Sequence, residues 1–158
     1  MNSVLLVWVG RRAPVGLEEL AAEYAKRISR HLTLAEVRVR PAAGRQGDVR
    51  RALAEEAAAV RKHLHSGDTV VVLDERGRER TTEELARWLS ERRHLGRTVF
   101  VIGSDLGVDL SLKKQASELF ALSRLTLPHA LARLLLLEQL YRASDLLAGG
   151  QYHRGFSG

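Results

Sequence analysis

Hydrophobic positions along the chain follow two patterns that alternate from one end to the other. Short runs that are wholly apolar or strictly alternating predict β-strands, whereas longer segments with apolar residues every three or four positions predict amphipathic helices. The predicted strands cover residues 3–10, 32–40, 68–74, 97–102 and 118–123, and the predicted helices cover residues 16–30, 49–66, 82–96, 110–117 and about 129–147.

This order of elements predicts an α/β fold, a mainly parallel sheet with helices on both faces. Residues 32–40 (LTLAEVRVR) alternate apolar and charged toward their end, as an edge strand with one wet face does. No repeat, linker or change of composition divides the chain. We therefore expect residues 1–158 to form a single domain.

Local sequence signals mark the boundaries of several of these elements. Asp48 and Thr81 or Thr82 are suitable N-caps, and Gly96 is a suitable helix stop. The stretch PAAGRQG at 41–47 is predicted to form a loop, and ERGRER at 75–80 is predicted to form a turn.

The last predicted helix carries leucines on more than one face, and a helix that is apolar nearly all round must be buried nearly all round. An outer helix of one small domain has a wet face, so a second apolar face indicates a partner, most simply a second copy in a C2 homodimer. Ordinary placement of leucines in a core helix is the alternative. The residues concerned are Leu131, Leu134, Leu135, Leu136, Leu137, Leu140, Leu146 and Leu147.

Composition excludes several classes of protein. No apolar run approaches the roughly 20 residues of a membrane span, and the N-terminus lacks the basic region of a signal peptide, so we expect a cytoplasmic protein without a membrane partner. The chain has no cysteine, which excludes disulfides, thiolate metal sites and a cysteine nucleophile. We expect no metal.

Charge indicates a polyanionic partner. The net charge is +6, and residues 1–66 hold 12 Lys or Arg against 7 Asp or Glu. A basic patch in this part of the chain is suited to binding phosphate groups. The alternative is a solvated surface without a binding role.

Three buried strands end in loops at the same predicted edge of the sheet, in the stretches VVLDERG, VIGSDLG and ALSRLTLP. Ligands of open α/β sheets bind in the crevice beyond the carboxyl ends of the strands. Neither GxGxxG nor GxxxxGK[ST] occurs, so a dinucleotide site and a P-loop lack support.

The third of these loops ends at Pro128 and His129. Proline suits the first turn of a helix, and the extended chain before it would expose backbone groups of residues 123–127 to a flat ligand such as adenine. A plain helix start explains Pro128 equally well, and a structural or capping role is the more common one for a histidine such as His129.

Two further places carry candidate chemistry. Arg142 lies among apolar neighbours in the last helix, where a cation needs solvent or a partner. Near the end of the chain, Tyr152, His153 and Arg154 combine a stacking ring, a titratable imidazole and a planar cation, which suit a phosphate or a base. An unstructured tail is the alternative.

Taken together, the stretches VWVG, VVLDERG, VIGSDLG, LTLPHALARLLLLEQLYRA and YHR resemble the RlmH family of ribosomal RNA methyltransferases, within the SPOUT superfamily. The resemblance covers essentially the whole chain. It implies a C-terminal trefoil knot, a homodimer, S-adenosylmethionine as methyl donor, and methylation of N3 of a pseudouridine in helix 69 of 23S rRNA in the assembled ribosome.

The resemblance also implies the cofactor-binding positions. Matched residue by residue, they are the loop positions Leu73, Gly103, Leu122, Ser123, Arg124, Leu125, Thr126 and Leu127. One position departs from the family, which usually has a second glycine after Gly103 where this chain has Ser104. That side chain would narrow the pocket or donate a hydrogen bond, which puts cofactor affinity in doubt.

For catalysis we expect Arg142, His153 and Arg154 to position the base and stabilise the charge that develops when the N3 proton leaves, with His153 as the proton acceptor. In a dimer, the tail would reach the pocket of the partner. Two alternatives stay open: an RNA-binding or ribosome-binding module that has lost catalysis, and a nucleotide-binding α/β regulator.

Overall fold

The computed structural model describes residues 2–42 and 48–154, so most of the predicted loop at 41–47 lies outside the described residues. Its ten elements alternate as the hydrophobic pattern predicts. They are β1 (Ser3–Val9), α1 (Val15–Ile28), β2 (Thr33–Val39), α2 (Val49–Arg61), β3 (Thr69–Arg78), α3 (Thr82–Glu91), β4 (Arg97–Ile102), α4 (Leu110–Gln115), β5 (Glu118–Phe120) and α5 (His129–Leu147).

The five strands form one sheet in the order β2-β1-β4-β3-β5, and every pair of neighbours is parallel. Side chains alternate between its faces: Leu6 and Phe100 pack in one core with α1, α3 and α5, while Val7 and Val101 pack in another with α2 and α4. The predicted α/β fold with helices on both faces is confirmed, and so is the edge position of β2. The knotted threading of the C-terminal half stays a prediction.

The predicted helix boundaries are confirmed where a cap defines them. Thr81 and Glu84 form a reciprocal capping box at the start of α3. Asp48 Oδ1 accepts a hydrogen bond from the Arg51 amide at 3.0 Å. Gly96 is not the stop of α3 that the sequence predicts, because α3 ends at Glu91 with Arg92 as its C-cap; Gly96 lies in the turn before β4, with a φ of +89° that favours glycine.

The turn predicted at residues 75–80 is wrong, because β3 continues to Arg78. After an irregularity in register, Arg78 pairs with Phe120 of β5. Gly77 permits this pairing, since a Cβ there would lie 2.6 Å from backbone atoms of Leu119 and Phe120. The glycine that suggested a turn instead allows close approach of a neighbouring strand.

The strand predicted at 118–123 is shorter than expected, since β5 ends at Phe120. The Ala121 amide still donates to the Arg78 carbonyl at 3.0 Å. Residues 122–127 then make no backbone–backbone hydrogen bond in the part of the chain that the structure describes. The chain has left the sheet, and this segment borders the site described below.

Helix α5 lies against both α1 and α3. Leu136, Leu137 and Leu140 are fully buried within the chain, whereas Leu131 and Leu135 remain 42% and 43% exposed. The chain therefore covers most of the apolar surface of α5 by itself but leaves Leu131 and Leu135 half-exposed near its start and Leu147 exposed at its end. None of the described helices has the length and hydropathy needed to span a membrane.

Candidate active site

A cavity of about 720 Å³ opens beyond the carboxyl end of β4, between the loop after β4, residues 73–76 of β3 and the segment 122–127. Two of the three loops predicted there are loops, whereas the first, in VVLDERG, is part of strand β3. All of the predicted cofactor-binding residues line it except Arg124, whose side chain is 88% exposed and lies 3.4 Å from Glu79. The structure thus brings together seven positions that are up to 54 residues apart, from Leu73 to Leu127.

The loop after β4 forms one wall. It turns back on itself, with an antiparallel bridge between Ser104 and Gly107 and a φ of +90° at Gly107. A Cβ on Gly103 would lie 2.4 Å from the Gly107 carbonyl oxygen, so only glycine fits there without a shift of the loop.

Ser104, where the chain departs from the family pattern, is anchored to the other face of the sheet. Its hydroxyl donates to Glu56 Oε1 at 2.6 Å, and Glu56 Oε2 accepts from the Ala42 amide at 3.0 Å. Glu56 is only 5% exposed. The hydroxyl proton is therefore committed to a buried carboxylate of α2, and it holds the loop rather than pointing to a ligand.

The segment 122–127 forms the opposite wall. Ser123 Oγ accepts from the Leu125 amide at 3.0 Å, and the Thr126 hydroxyl donates to Glu75 Oε2 at 2.6 Å. Pro128 follows with a φ of −57° and directly precedes α5, as predicted for a proline that starts a helix. Unpaired backbone N–H and C=O groups in this wall are available to a ligand.

His129 closes the crevice toward β1. Its imidazole stacks on Trp8, with centroids 6.4 Å apart, and its Nδ1 lies 3.0 Å from Asp105 Oδ1. A Cβ on Gly10 would lie 2.4 Å from the His129 ring, so this glycine makes room for it. The histidine therefore joins three loops at one corner of the pocket, a structural role.

One turn further along α5, Arg133 forms an ion-pair network that sequence reasoning missed. Arg133 Nε donates to Glu36 at 2.8 Å, and Nη1 donates to Glu18 at 3.0 Å. Its guanidinium also lies 4.5 Å from the Trp8 ring centroid. Burial by itself would lower the pKa of Arg133, but the two carboxylates raise it above its usual value. The sequence signal that could have revealed this network is the presence of a charged residue, Arg133, within the apolar run of α5.

Asp74 and Lys113 form a second pair at the cavity, 2.6 Å apart. Burial alone would raise the pKa of Asp74, but hydrogen bonds from Lys113 and the Arg76 amide hold it below its usual value. The carboxylate is therefore ionised at neutral pH, and with Lys113 it forms a neutral ion pair beside the pocket.

The three predicted catalytic residues lie elsewhere in the chain. Arg142 is on α5, thirteen residues after His129, which corresponds to about 20 Å along a helix. Arg142 Nε donates to Glu138 at 2.9 Å, and this hydrogen bond raises the pKa of Arg142. Its guanidinium lies 4.5 Å from the ring centroid of Tyr152.

The tail packs back against its own chain around this arginine. Tyr152 lies within hydrogen-bond distance of Tyr24 and of Glu138, and burial raises its pKa. His153 Nε2 lies 2.8 Å from Glu83 Oε1, and its Nδ1 is buried without a hydrogen-bond partner among the described atoms. Arg154 is exposed. Within one chain the structure does not bring these residues to the cavity.

Comparisons with known proteins define the class. Residues 2–153 match the model of the predicted SPOUT methyltransferase family. A probable methyltransferase from Bordetella pertussis Tohama I has a similar fold, with a TM-score of 0.57 at 17% identity over 90% of this chain and 95% of that one. A probable methylase family protein from Haemophilus influenzae Rd KW20 gives a TM-score of 0.56 at 15% identity over 99% of this chain and 72% of that one. The fold is that of a SPOUT methyltransferase.

Curated relatives narrow the class to one family. The protein named ribosomal RNA large subunit methyltransferase H from Gloeobacter violaceus is 43% identical over 96% of this chain and 99% of its own length. The protein of the same name from Thiobacillus denitrificans is 46% identical over 94% and 97%. The chain belongs to the RlmH family of SPOUT methyltransferases, as its motifs indicated. SPOUT methyltransferases use S-adenosylmethionine.

Proposed function

We propose that the chain transfers a methyl group from S-adenosylmethionine to N3 of a pseudouridine in helix 69 of 23S rRNA, in the assembled ribosome. The observation that carries the proposal is the cavity of about 720 Å³ at the carboxyl end of β4, built from residues of the family motifs. Relatives named as ribosomal RNA large subunit methyltransferases supply the substrate class. Such a substrate places the protein in the cytoplasm.

The residues around the cavity suit this methyl donor. Its volume lies within the range of about 300–1,000 Å³ usual for small-molecule sites. Apolar side chains such as Leu73 and Leu127 line it, and the backbone groups of residues 122–127, apart from the Leu125 amide that donates to Ser123 Oγ, make no backbone hydrogen bond and can bind a flat heterocycle. Three carboxylates (Asp74, Glu75 and Asp105) line the cavity against two cations (Arg76 and Lys113), and this single excess negative charge favours a ligand with a sulfonium and an ammonium group.

A homodimer would reconcile the cavity with the distant catalytic candidates. Leu131 and Leu135 are half-exposed one turn apart on α5, and a C2 interface buries the same face on both copies. If two α5 helices pack antiparallel, the Arg142 end of one helix lies over the His129 end of the other. The distance of about 20 Å that separates them within a chain then disappears. Both active sites would be composite.

In this arrangement the donor, when bound, supplies an electrophilic methyl group, and the chain handles the proton and the charge. Since the hydrogen bond from His153 lowers the pKa of Glu83, that carboxylate holds Nε2–H, and in the neutral ring the lone pair is on Nδ1. His153 would accept the N3 proton through this nitrogen, which requires the tail to move, because Nδ1 is buried within its own chain here. Arg142, held by Glu138, and the exposed Arg154 supply positive charge for the developing anion.

The experiment is mass spectrometry of the helix 69 fragment from ribosomes incubated with the enzyme and isotopically labelled S-adenosylmethionine. We expect one labelled methyl group on the pseudouridine. A fragment that stays unlabelled would contradict the proposal. Calorimetry separates the alternatives: a binding module that has lost catalysis binds ribosomes without binding the donor, whereas a nucleotide-binding regulator binds a phosphate-rich ligand and ignores ribosomes.

A further inference from the structure

Four arginines gather at the carboxyl edge of the two strands that the cavity does not use. Arg11 and Arg12 follow β1, and Arg38 and Arg40 lie at the end of β2. The strands are neighbours in register, with Trp8 opposite Arg38 and the Gly10 amide bonded to the Val39 carbonyl at 3.1 Å. All four arginines are exposed. We call them the arginine ledge.

The charge of the ledge is only partly neutralised by its neighbours: Arg12 interacts electrostatically with Glu18, but this carboxylate is shared with Arg133. The two partly buried carboxylates nearby, Glu18 and Glu36, both bind Arg133. Glu19 is exposed beside Glu18 at the start of α1. Within the described residues, the side chains of Arg11 and Arg40 make no hydrogen bond or ion pair. The four arginines of the ledge and Arg133 carry five positive charges, and the three glutamates carry three negative charges. The region therefore keeps a net positive charge.

The ledge adjoins the mouth of the cavity. Gly10, immediately before Arg11, lies against the imidazole of His129, and His129 lines the cavity. Arg38 Nη1 donates to the Gly10 carbonyl at 3.2 Å, which ties the two halves of the ledge together. A polyanion on the ledge would therefore be next to whatever the cavity holds.

We propose that Arg11, Arg12, Arg38 and Arg40 bind the phosphate backbone of the RNA that presents its base to the cavity. The guanidinium group suits phosphate because it is planar, always charged and able to make two parallel hydrogen bonds. An exposed ledge, rather than an enclosed pocket, suits an extended chain of phosphates. Contacts of this kind position a nucleic acid without reading its sequence. This inference rests on the proposed function and adds how the substrate docks.

The test compares two triple variants that remove the same charge from opposite edges of the sheet. The ledge variant is Arg11→Gln, Arg12→Gln and Arg40→Gln; Arg38 is kept because it supports the Gly10 loop. The control is Arg30→Gln, Arg87→Gln and Arg93→Gln. These arginines are exposed, and Arg30 and Arg93 precede the amino ends of β2 and β4. Binding to purified ribosomes is measured across a series of potassium chloride concentrations, and binding of S-adenosylmethionine is measured by calorimetry.

We expect the ledge variant to bind ribosomes at least about tenfold more weakly at low salt, with a log–log salt dependence shallower by about 2 to 3, since each phosphate contact contributes roughly 0.7–0.9. Its donor affinity should equal that of the wild type, and the control should keep the wild-type salt dependence. Equal losses of ribosome binding in the two triple variants would contradict the proposal that the arginine ledge binds the RNA backbone. If wild-type enzyme fails to methylate ribosomes at all, the proposed function has failed instead, which is a separate result.

Discussion

The two ends of α5 differ in what they hold. At the amino end, Pro128 and His129 border a cavity with apolar walls, free backbone groups and carboxylates. At the other end, Arg142 and the tail with His153 form a cluster of rings and paired cations around Glu138 and Glu83, away from the cavity. Under the proposed function, the first end binds the donor and the second handles the proton and the developing charge.

We propose from this separation that a single chain holds halves of two different sites. Within one chain Arg142 lies about 20 Å along α5 from His129, and a rigid helix cannot bring these two positions together. An antiparallel second copy places the complementary end at each cavity. The following experiments test that arrangement, from the largest expected effect to the smallest.

The largest effect is expected from Leu131→Glu combined with Leu135→Glu. Two charges on the half-exposed face of α5 should prevent pairing of the two helices. Methyl transfer to ribosomes should then be lost, because neither cavity would receive the C-terminal tail of a partner chain. Light scattering after size exclusion should show a monomer that still binds S-adenosylmethionine. The matched control is Leu95→Glu with Leu110→Glu, which are more exposed leucines elsewhere. A double variant that stays dimeric and active would show that α5 does not form the interface.

Next comes His153→Ala, which should reduce methyl transfer about 100-fold or more, as loss of a general base does. Donor binding should be unchanged. A second variant, Gly103→Ala, should lose donor binding because its Cβ would lie 2.4 Å from the Gly107 carbonyl oxygen.

Mixing these two inactive variants gives the sharper result. In a mixed dimer, one cavity is intact and receives the intact tail of the other chain, so partial activity should return. If mixed dimers form but stay inactive, the tail acts within its own chain and the composite site is wrong.

A smaller effect, on stability, is expected from Arg133→Met. It leaves two partly buried carboxylates without their cation, and we expect a loss of about 2–3 kcal/mol in the free energy of unfolding, at the low end for a broken buried pair. Urea denaturation measures it. Adding Glu18→Gln and Glu36→Gln should recover part of the loss, since the uncompensated charge is then removed. No recovery would mean that packing on Trp8 dominates.

The smallest effect is expected from Ser104→Ala, which removes one hydrogen bond worth about 1 kcal/mol to Glu56. Because the loop after β4 is then held less firmly, donor affinity should fall a few-fold while the rate at saturating donor is unchanged. Ser66→Ala, at an exposed position, is the control. An unchanged donor affinity would show that the Glu56 contact does not position this wall.

The alternation of apolar patterns predicted the fold closely, because each buried strand and each amphipathic helix records its environment in its own residues. The capping box at Thr81 and the cap at Asp48 were predictable for the same reason. The turn predicted at 75–80 was wrong because Gly77 is required for close packing against β5, a strand more than 40 residues later in the chain. Local signals cannot distinguish a glycine that turns the chain from one that admits a neighbour.

For the candidate site, the sequence located the loops but not their connections. The contact of Gly10 with His129 and the pairing of Arg133 with Glu18 and Glu36 join segments about 100 residues apart. No spacing rule predicts such pairs. The Ser104–Glu56 hydrogen bond likewise crosses from the end of β4 to α2, so a departure from the family pattern became interpretable only with its partner in view.

By itself, the sequence determined the order of elements, the parallel sheet, the family and two of the three predicted loops at one sheet edge, because hydrophobic period, caps and motifs are local properties of the chain. Only the tertiary structure decided that Arg142 pairs with Glu138 and His153 with Glu83, away from the residues that line the cavity, and that the four arginines of the ledge adjoin its mouth. Distance across a fold depends on how elements pack, and packing is set by many residues at once rather than by any one segment.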